Sequence, residues 1–509
     1  MVMELIGRAS LSRMWRSMHK SPGLPRGCCV RVVAFNEDRR PPPGATPAPA
    51  PTATSTTDVV ARPMYKAPLS AQHVDTLPSA ALAASLAEYA QQVALESTSD
   101  GNSAAAPTFN PRIFDTLARR LARDAYDFDA NSLVDILHAY SRAGQGHSRR
   151  DMLAICCMVL TGKVEELQPA SLARLASSCA VMDLQATDLL ASLCARASER
   201  DVLSRFSVED LAALLVALSQ LQHRSPALYG DAADMLSYNL GHTTGPRPST
   251  GLQQSVMPTA EHAVSIVWAL AAAGLYHQPL FDVAGSLLMD RLVELDGNAL
   301  AKVAWSYATV RSADESHRGL WDRDLFDSIA GICLARGVAG FPPRALVTLL
   351  WSFASVPHYD GPLFDAVASG LAPHMAAGAV GPSDLVAVAW SVMRVSHAHA
   401  GLMEALGDAA LAAVDQLDGD DLTTISMAFP TAKSYSEAFF KYLVSEAQER
   451  PQRFGQVALL DIIRLISRVQ HRDPEYYGPA LEVLLEHVHK AFLDAPVDKT
   501  GCMNPFRFG

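Results

Sequence analysis

Residues 346–365 read LVTLLWSFASVPHYDGPLFD, and this stretch decides the fold. Counted from Leu346, apolar residues recur at positions 0, 3, 4 and 7, which is the spacing of one face of an α-helix. A short polar turn containing a proline follows. The element LFD at 363–365 then opens a second apolar stretch. The segment therefore predicts a helical hairpin of two antiparallel α-helices.

The same pattern returns along most of the chain. Strong copies begin at Ala263, Leu300, Leu346 and Leu385. Weaker copies begin at Leu133, Leu172, Leu211, Leu422 and Leu460, and a degenerate half-repeat at 79–115 precedes them. Successive starts lie 39, 39, 52, 37, 46, 39, 37 and 38 residues apart, with insertions near 241–258 and 312–321. One hairpin cannot bury its own apolar face but stacked hairpins can. The sequence predicts an all-α solenoid of about nine helix-pair repeats with a period of about 38 residues.

The composition favours α-helices and limits the classes of protein to which the chain can belong. The chain is 49% hydrophobic but only 7% aromatic, and few runs alternate with the period of two that strands need. No apolar run reaches about 18 residues, so no membrane-spanning helix is predicted. The eight cysteines include no C-x-x-C pair. That spacing favours free buried thiols over a disulfide framework or a zinc site.

The first 40 residues differ from the rest of the chain. They hold eight Arg/Lys against three acids, so their net charge is +5. Because the whole chain has a net charge of −11, the remaining residues together carry −16. Residues 1–40 are predicted to be an organellar presequence, for the mitochondrial matrix or alternatively a plastid. A disordered basic tail is the other interpretation. Residues 41–73 predict a disordered Pro/Ala/Thr linker, 74–495 the solenoid and 496–509 a C-terminal tail.

Catalytic and metal-binding patterns are not found. The TGK ending at Lys163 has Cys157 where a phosphate-binding loop needs glycine. The acidic run that begins at Asp127 fits helix capping better than a calcium loop. We therefore expect a protein that is not an enzyme, with no catalytic residues, no metal, no cofactor and no small-molecule substrate.

A binding surface is predicted on the first helix of each repeat, opposite its apolar face. Positions 2, 6 and 9 lie there, and position 6 is small almost throughout, which would let a ligand approach the helix backbones. A variable polar residue beside a fixed small one suits base-by-base recognition of RNA, although a merely solvated helix face has the same composition. The candidate RNA-binding residues are Arg142, Arg174, Lys302, Thr309, Thr348, Arg394 and Thr424.

Four tryptophans share position 5 of the strong repeats. Trp268, Trp305, Trp351 and Trp390 could stack on bases. The favoured interpretation is structural, because a tryptophan recurring at one repeat position is more often a wedge with a buried ring and a hydrogen-bonded N–H.

The Trp-Ser/Ala element and the recurring LFD resemble the octotricopeptide and heptatricopeptide repeats, and the related repeats of FAST-kinase-like (FASTK) RAP proteins of organelles. The resemblance covers residues 79–493. It implies work on organellar RNA: transcript stability, processing, translation or ribosome assembly. Many of those proteins end in a RAP domain, and the sequence after residue 493 does not contain one.

Two functions follow as hypotheses. The first is a mitochondrial RNA-binding repeat protein whose partners are organellar mRNA or rRNA and the proteins of a ribonucleoprotein assembly. The second is a protein-binding scaffold or structural subunit of an organellar ribosome or similar assembly, which the acidic body favours.

Overall fold

A computed structural model describes residues 71–96, 111–143, 150–241, 259–313 and 322–493. Within these ranges the chain forms α-helices and short 3-10 turns, with no strand. None of the described helices is both long and apolar enough to cross a membrane. The predicted presequence, the predicted C-terminal tail from 496 and both predicted insertions, apart from a few flanking residues, lie outside the described residues. The first described helix begins at Ala71, inside the predicted linker.

Twenty of the described helices form ten consecutive pairs. The first helices of the pairs are α2 (Ser79–Glu96), α4 (Ala130–Arg142), α6 (Pro169–Val181), α9 (Val208–Gln220), α11 (Ala260–Ala273), α13 (Gly297–Ala313), α15 (Pro343–Ser355), α17 (Pro382–Val395), α19 (Gly419–Thr431) and α21 (Gln456–Val469). The second helices are α3 (Pro111–Asp124), α5 (Arg150–Thr161), α7 (Thr187–Ala197), α10 (Pro226–Gly241), α12 (Gln278–Arg291), α14 (Arg323–Arg336), α16 (Gly361–Ala376), α18 (Ala400–Ala412), α20 (Glu437–Glu449) and α22 (Pro474–Leu493). Two short helices, α1 (Ala71–Thr76) and α8 (Arg200–Leu203), complete the described set. The segment predicted as a half-repeat is thus the complete pair α2–α3.

The described helices divide between two compact units. The N-terminal unit contains the described residues up to 241 together with 277–280, and the C-terminal unit contains 259–276 and 281–493. In the N-terminal unit α2, α4, α6 and α9 pack side by side, as do α3, α5, α7 and α10. In the C-terminal unit α11, α13, α15, α17, α19 and α21 form one layer, and α14, α16, α18, α20 and α22 form the other. This two-layer stacking confirms the predicted α-solenoid.

The core follows the apolar spacing of the first helices. In α15, Leu346, Leu349, Leu350 and Phe353 are all buried. Position 6 is buried as well: Ser352 has no exposed surface and its hydroxyl donates to the Thr348 carbonyl, 2.6 Å away. The equivalent serines that donate in the same way are Ser178, Ser306 and Ser391. The small residues at position 6 therefore let neighbouring first helices approach one another, and the prediction that they expose backbone to a ligand is wrong.

The register of the last repeat also differs from the prediction. In α21 the positions 0, 3, 4 and 7 are filled by Leu459, Ile462, Ile463 and Ile466, which are all buried. The repeat thus starts at Leu459 and not at Leu460. This one-residue shift moves every later position of the helix to a different face.

Several first helices are followed, at the same repeat position, by a residue with a left-handed backbone conformation. Position 11 has a positive φ in five repeats, at Asp183, Gln222, Gly274, Ser396 and Lys433. The following backbone N–H then donates to the carbonyl five residues earlier, as from Leu275 to Leu270 at 2.9 Å. This Schellman-type ending satisfies helix carbonyls and reverses the chain into the second helix.

The recurring LFD element joins neighbouring repeats. Asp365 Oδ1 lies 3.4 Å from Nε2 of His397, in the turn of the following repeat, and the Phe364 and His397 rings are 5.4 Å apart. Asp327 and His358 form the same pairing one repeat earlier, at 3.1 Å. Burial lowers the pKa of His397, so its imidazole is neutral at pH 7. The motif is therefore explained as an inter-repeat contact.

Candidate nucleic-acid interface

Each first helix keeps one narrow face clear of its neighbours. In the corrected register this face is formed by positions 2, 5 and 9, whose residues are half-buried or exposed in most repeats, with a few buried exceptions such as Ala272, Ala387 and two of the tryptophans. Positions separated by three and four residues lie above one another on a helix, so the three form a single row. We call this row the first-helix face. It contains all seven candidate polar residues and all four tryptophans.

In the N-terminal unit this face is polar and carries both signs of charge. Arg174 of α6 is exposed and its guanidinium pairs with the carboxylate of Asp135 on α4. Exposed pairs of this kind contribute only about 0.2–1 kcal/mol, so a phosphate group can compete for the arginine. Arg142 is half-buried and has no carboxylate partner among the described residues.

His138 lies between these arginines, at the position that tryptophan fills in other repeats. Its Nδ1 is 3.4 Å from the Ser178 hydroxyl on α6. Burial, and after it the positive charges of Arg174 and Arg142, together lower the pKa of His138 to about 4. The imidazole is therefore neutral at pH 7, and the positive charge here is that of the two arginines.

The lowered pKa of His138 predicts a loss of stability in mild acid. The unfolded chain binds a proton at a pKa of about 6.5 and the folded chain only near 4, so stability falls as pH drops through this range. Allowing for partial exposure, we expect wild type to lose about 1–2 kcal/mol more than His138→Gln between pH 7.5 and pH 5. Urea unfolding of both proteins at both pH values measures these losses of stability. Equal losses in the two proteins would contradict a lowered pKa of His138.

In the C-terminal unit the face carries the tryptophans as neighbouring rings. The Trp268 and Trp305 rings are 6.4 Å apart, and those of Trp351 and Trp390 are 6.1 Å apart and stacked at 29°. Trp305 and Trp351 are only 7% and 6% exposed, while Trp268 and Trp390 are half-buried. The Nε1 of Trp351 is buried without a hydrogen-bond partner in the described part of the chain, unlike the bonded N–H that was expected.

Lys302 and Arg394 supply positive charge beside these rings. The ammonium group of Lys302 lies 5.7 Å from the centre of the Trp268 ring, a cation–π contact that leaves its remaining donors free. Arg394 is exposed at the end of α17. Neither side chain is paired with a carboxylate of the described residues.

The candidate threonines have less donor capacity than their sequence positions indicated. The hydroxyl of Thr348 donates to the Arg344 carbonyl at 2.8 Å, and that of Thr424 donates to the Asp420 carbonyl at 2.9 Å. The Thr309 hydroxyl oxygen is buried. Because these hydroxyls bond within their own helices, Thr348 and Thr424 can accept a hydrogen bond from a ligand but not donate one without breaking that bond.

Two arginines of this face, and a third just beyond it, were not predicted from the sequence. In the corrected register Arg464 occupies position 5 and Arg468 position 9 of α21, and Arg472 lies in the 3-10 turn that follows α21. All three are exposed. The 0, 3, 4, 7 spacing from Leu459 was the signal that could have identified them.

Cations elsewhere in the solenoid are mostly engaged in structure. Arg453 donates to the Val414 and Leu417 carbonyls of the preceding repeat and pairs with Glu446 at 2.6 Å. Arg336 and Lys163 bond carbonyls of the preceding repeat in the same way. Other cations are paired with carboxylates, including Arg196, Arg323, Lys441 and Arg450. On the first-helix face, by contrast, Arg142, Lys302, Arg394 and Arg468 have no carboxylate partner among the described residues.

Possible metal ligands and buried thiols both lie within the described ranges. No group of three or more His, Cys, Asp or Glu side chains there is arranged to hold a metal ion. Burial raises the pKa of Cys194 and Cys333 to about 11 and that of Cys156 to about 12. Thiols with such pKa values are protonated and poorly nucleophilic at neutral pH.

The fold and this face together define an α-solenoid repeat protein whose first helices present a partly basic, partly aromatic surface. A family model matches residues 102–411, more than half of the chain, so the protein belongs to the RNA-editing substrate-binding complex 6 protein family. The match begins before α3 and ends at the last turn of α18. It names a different family from the octotricopeptide and FASTK-type proteins of the sequence resemblance. No curated protein sequence matches the chain.

Proposed function

We propose that this protein is an RNA-binding component of a mitochondrial complex that holds the substrates of RNA editing, and that it contacts RNA through the first-helix face. The observation that carries this proposal is that the face presents cations with no carboxylate partner among the described residues: Arg142, Lys302 and Arg394. The family description points to the same class of ligand.

The acidic body restricts where RNA can bind. The net charge of −11 opposes non-specific coating by a polyanion, so attraction depends on local positive potential. Half-buried Trp268 and Trp390 offer flat apolar surfaces beside Lys302 and Arg394. Base stacking combined with scattered phosphate contacts is typical of binding to single strands.

Several finer parts of the proposal rest on sequence. Residues 1–40 would direct the protein to the mitochondrial matrix, and the repeats would act without catalysis, cofactor or metal. The octotricopeptide-like Trp-Ser and LFD elements support a role in organellar RNA metabolism, with editing the step that the family description names.

The first experiment is crosslinking and immunoprecipitation of the tagged protein from purified mitochondria, with sequencing of the attached RNA. Discrete crosslinks to a few organellar transcripts are expected. A reproducible set of co-purifying proteins with RNA at background would instead support the scaffold function, for which the acidic surface is the supporting feature.

Removing the cations of the first-helix face is expected to weaken RNA binding without unfolding the chain. We expect Arg142→Ala with Arg174→Ala, and separately Lys302→Ala with Arg394→Ala, each to weaken binding of single-stranded RNA by about tenfold. Each lost phosphate contact should also reduce the slope of log K against log salt by about 0.7. Filter binding at several salt concentrations measures both quantities.

Matched controls remove the same charge from elsewhere. Arg200 and Arg323 are exposed and lie away from the first-helix face, on α8 and at the start of α14, so Arg200→Ala with Arg323→Ala should leave affinity nearly unchanged. Asp135→Asn frees Arg174 from its partner and should tighten binding. Equal effects of the face and control pairs would remove the first-helix face from the proposal.

A further inference from the structure

The last described repeat carries a row of arginines: Arg464 and Arg468 on α21, and Arg472 in the 3-10 turn Gln470–Arg472 that follows it. Arg464, Arg468 and Arg472 follow one another at intervals of four residues, and all are exposed. A rise of 1.5 Å per residue places Arg464 and Arg468 about 6 Å apart along α21. Such a row can meet consecutive phosphates of one extended strand.

Arg472 is held in place by an aromatic contact. Its guanidinium carbon lies 4.6 Å from the centre of the Tyr435 ring, which belongs to the turn between α19 and α20. The Tyr435 hydroxyl is in turn 2.8 Å from the hydroxyl of buried Tyr477. A guanidinium stacked on one face keeps its N–H edge for a phosphate, and its other face can stack on a base.

The charges around this row leave it positive. Asp461 pairs with Arg464 at 2.9 Å, but Arg468 and Arg472 have no carboxylate partner among the described residues. The nearby Asp473 is already paired with Lys441 at 3.1 Å. Position 9 of the two preceding first helices holds Thr431 and Arg394, so the row continues a surface that lacks acidic residues at this position.

From this arrangement we propose a second RNA site, at the C-terminal end of the first-helix face, in which Arg464 and Arg468 of α21 and Arg472 of the turn after it bind the backbone of single-stranded RNA, with an unstacked base against Arg472. This inference rests on the proposed RNA-binding function. The three arginines lie beyond residues 102–411, so the family match does not assign a site to them. Single strands are favoured over duplex because only an unstacked base exposes its face to an arginine.

The test uses the full chain and a fluorescent oligouridine. The triple variant Arg464→Ala, Arg468→Ala, Arg472→Ala is expected to weaken binding by about tenfold or more and to flatten the salt dependence. The variant with lysine at all three positions keeps the charges and should recover part of the affinity. Tyr435→Leu should weaken binding more than Tyr435→Phe, because only the leucine variant loses the ring beneath Arg472. Thermal unfolding of each variant shows that the fold is retained.

The outcomes separate this inference from the proposed function. Weakening by the α21 triple beyond that of the Arg200→Ala, Arg323→Ala control supports it. If the Arg142, Arg174, Lys302 and Arg394 variants weaken binding while the α21 triple does not, the second site is overturned and the proposed function stands. If the wild-type chain binds no RNA, both are overturned. Equally strong competition by duplex RNA would overturn the single-strand assignment.

Discussion

Gly419→Ala is expected to be one of the most destabilising single-methyl changes in this protein. Gly419 is the first residue of α19, and a Cβ there would lie 2.9 Å from the carbonyl carbon of Arg453 and closer still to its oxygen. The contact is with backbone, so no side-chain rotation can relieve it. Overpacking that forces backbone to shift typically costs about 1–3 kcal/mol, and we expect a cost at the upper end of that range here.

The cost should exceed steric strain alone because of what Arg453 does. Its guanidinium bonds the Val414 and Leu417 carbonyls and buried Glu446, so a shift of its backbone disturbs a whole inter-repeat contact. Gly331→Ala is the matched control, since nothing lies within 4 Å of a Cβ there. That variant sits inside α14 and should gain about 0.5–1 kcal/mol. Denaturant unfolding compares the two, and equal stability would contradict the close approach at Gly419.

The stacking of repeats could be predicted because it depends on periodicity. Apolar residues at 0, 3, 4 and 7 identify a helix face whatever their exact identity, and the Trp and LFD elements fixed the register in the strong copies. The same reasoning failed in α21. There the run Leu459-Leu460 allowed two starts, and choosing Leu460 moved Arg464 and Arg468 away from the surface face.

The candidate surface could be predicted only in part, because exposure is decided by the neighbouring repeats. Position 6 is opposite the apolar stripe on an isolated helix, but Ser352 and its equivalents are covered by the next first helix. Position 5 was not among the predicted surface positions, yet Trp268 and Trp390 are half-buried on the open face. Ion pairs between repeats also could not be predicted from the sequence. Arg174 and Asp135 are 39 residues apart and form a pair because position 2 of one first helix lies beside position 2 of the next.

Trp351→Ala is expected to reduce the free energy of unfolding by about 3–5 kcal/mol. Its ring is 6% exposed and stacks 6.1 Å from that of Trp390, so truncation removes a large buried surface and leaves a cavity between α15 and α17. Denaturant unfolding measures the change. A loss below about 1 kcal/mol would show that the ring is not a packed wedge and would favour stacking on a ligand.

Trp351→Phe distinguishes the contribution of the aromatic ring to stability from that of the indole N–H. The buried Nε1 has no acceptor within the described residues, so tryptophan bears a desolvation cost there that phenylalanine avoids. The phenylalanine variant should therefore lose less than half as much stability as the alanine variant.

Bases that stack on this surface would contact the half-buried rings of Trp268 and Trp390. Trp268→Leu should then weaken RNA binding with a small loss of stability, whereas Trp351→Phe should leave RNA affinity unchanged, because a ring that is only 6% exposed offers too little surface for a base to stack on.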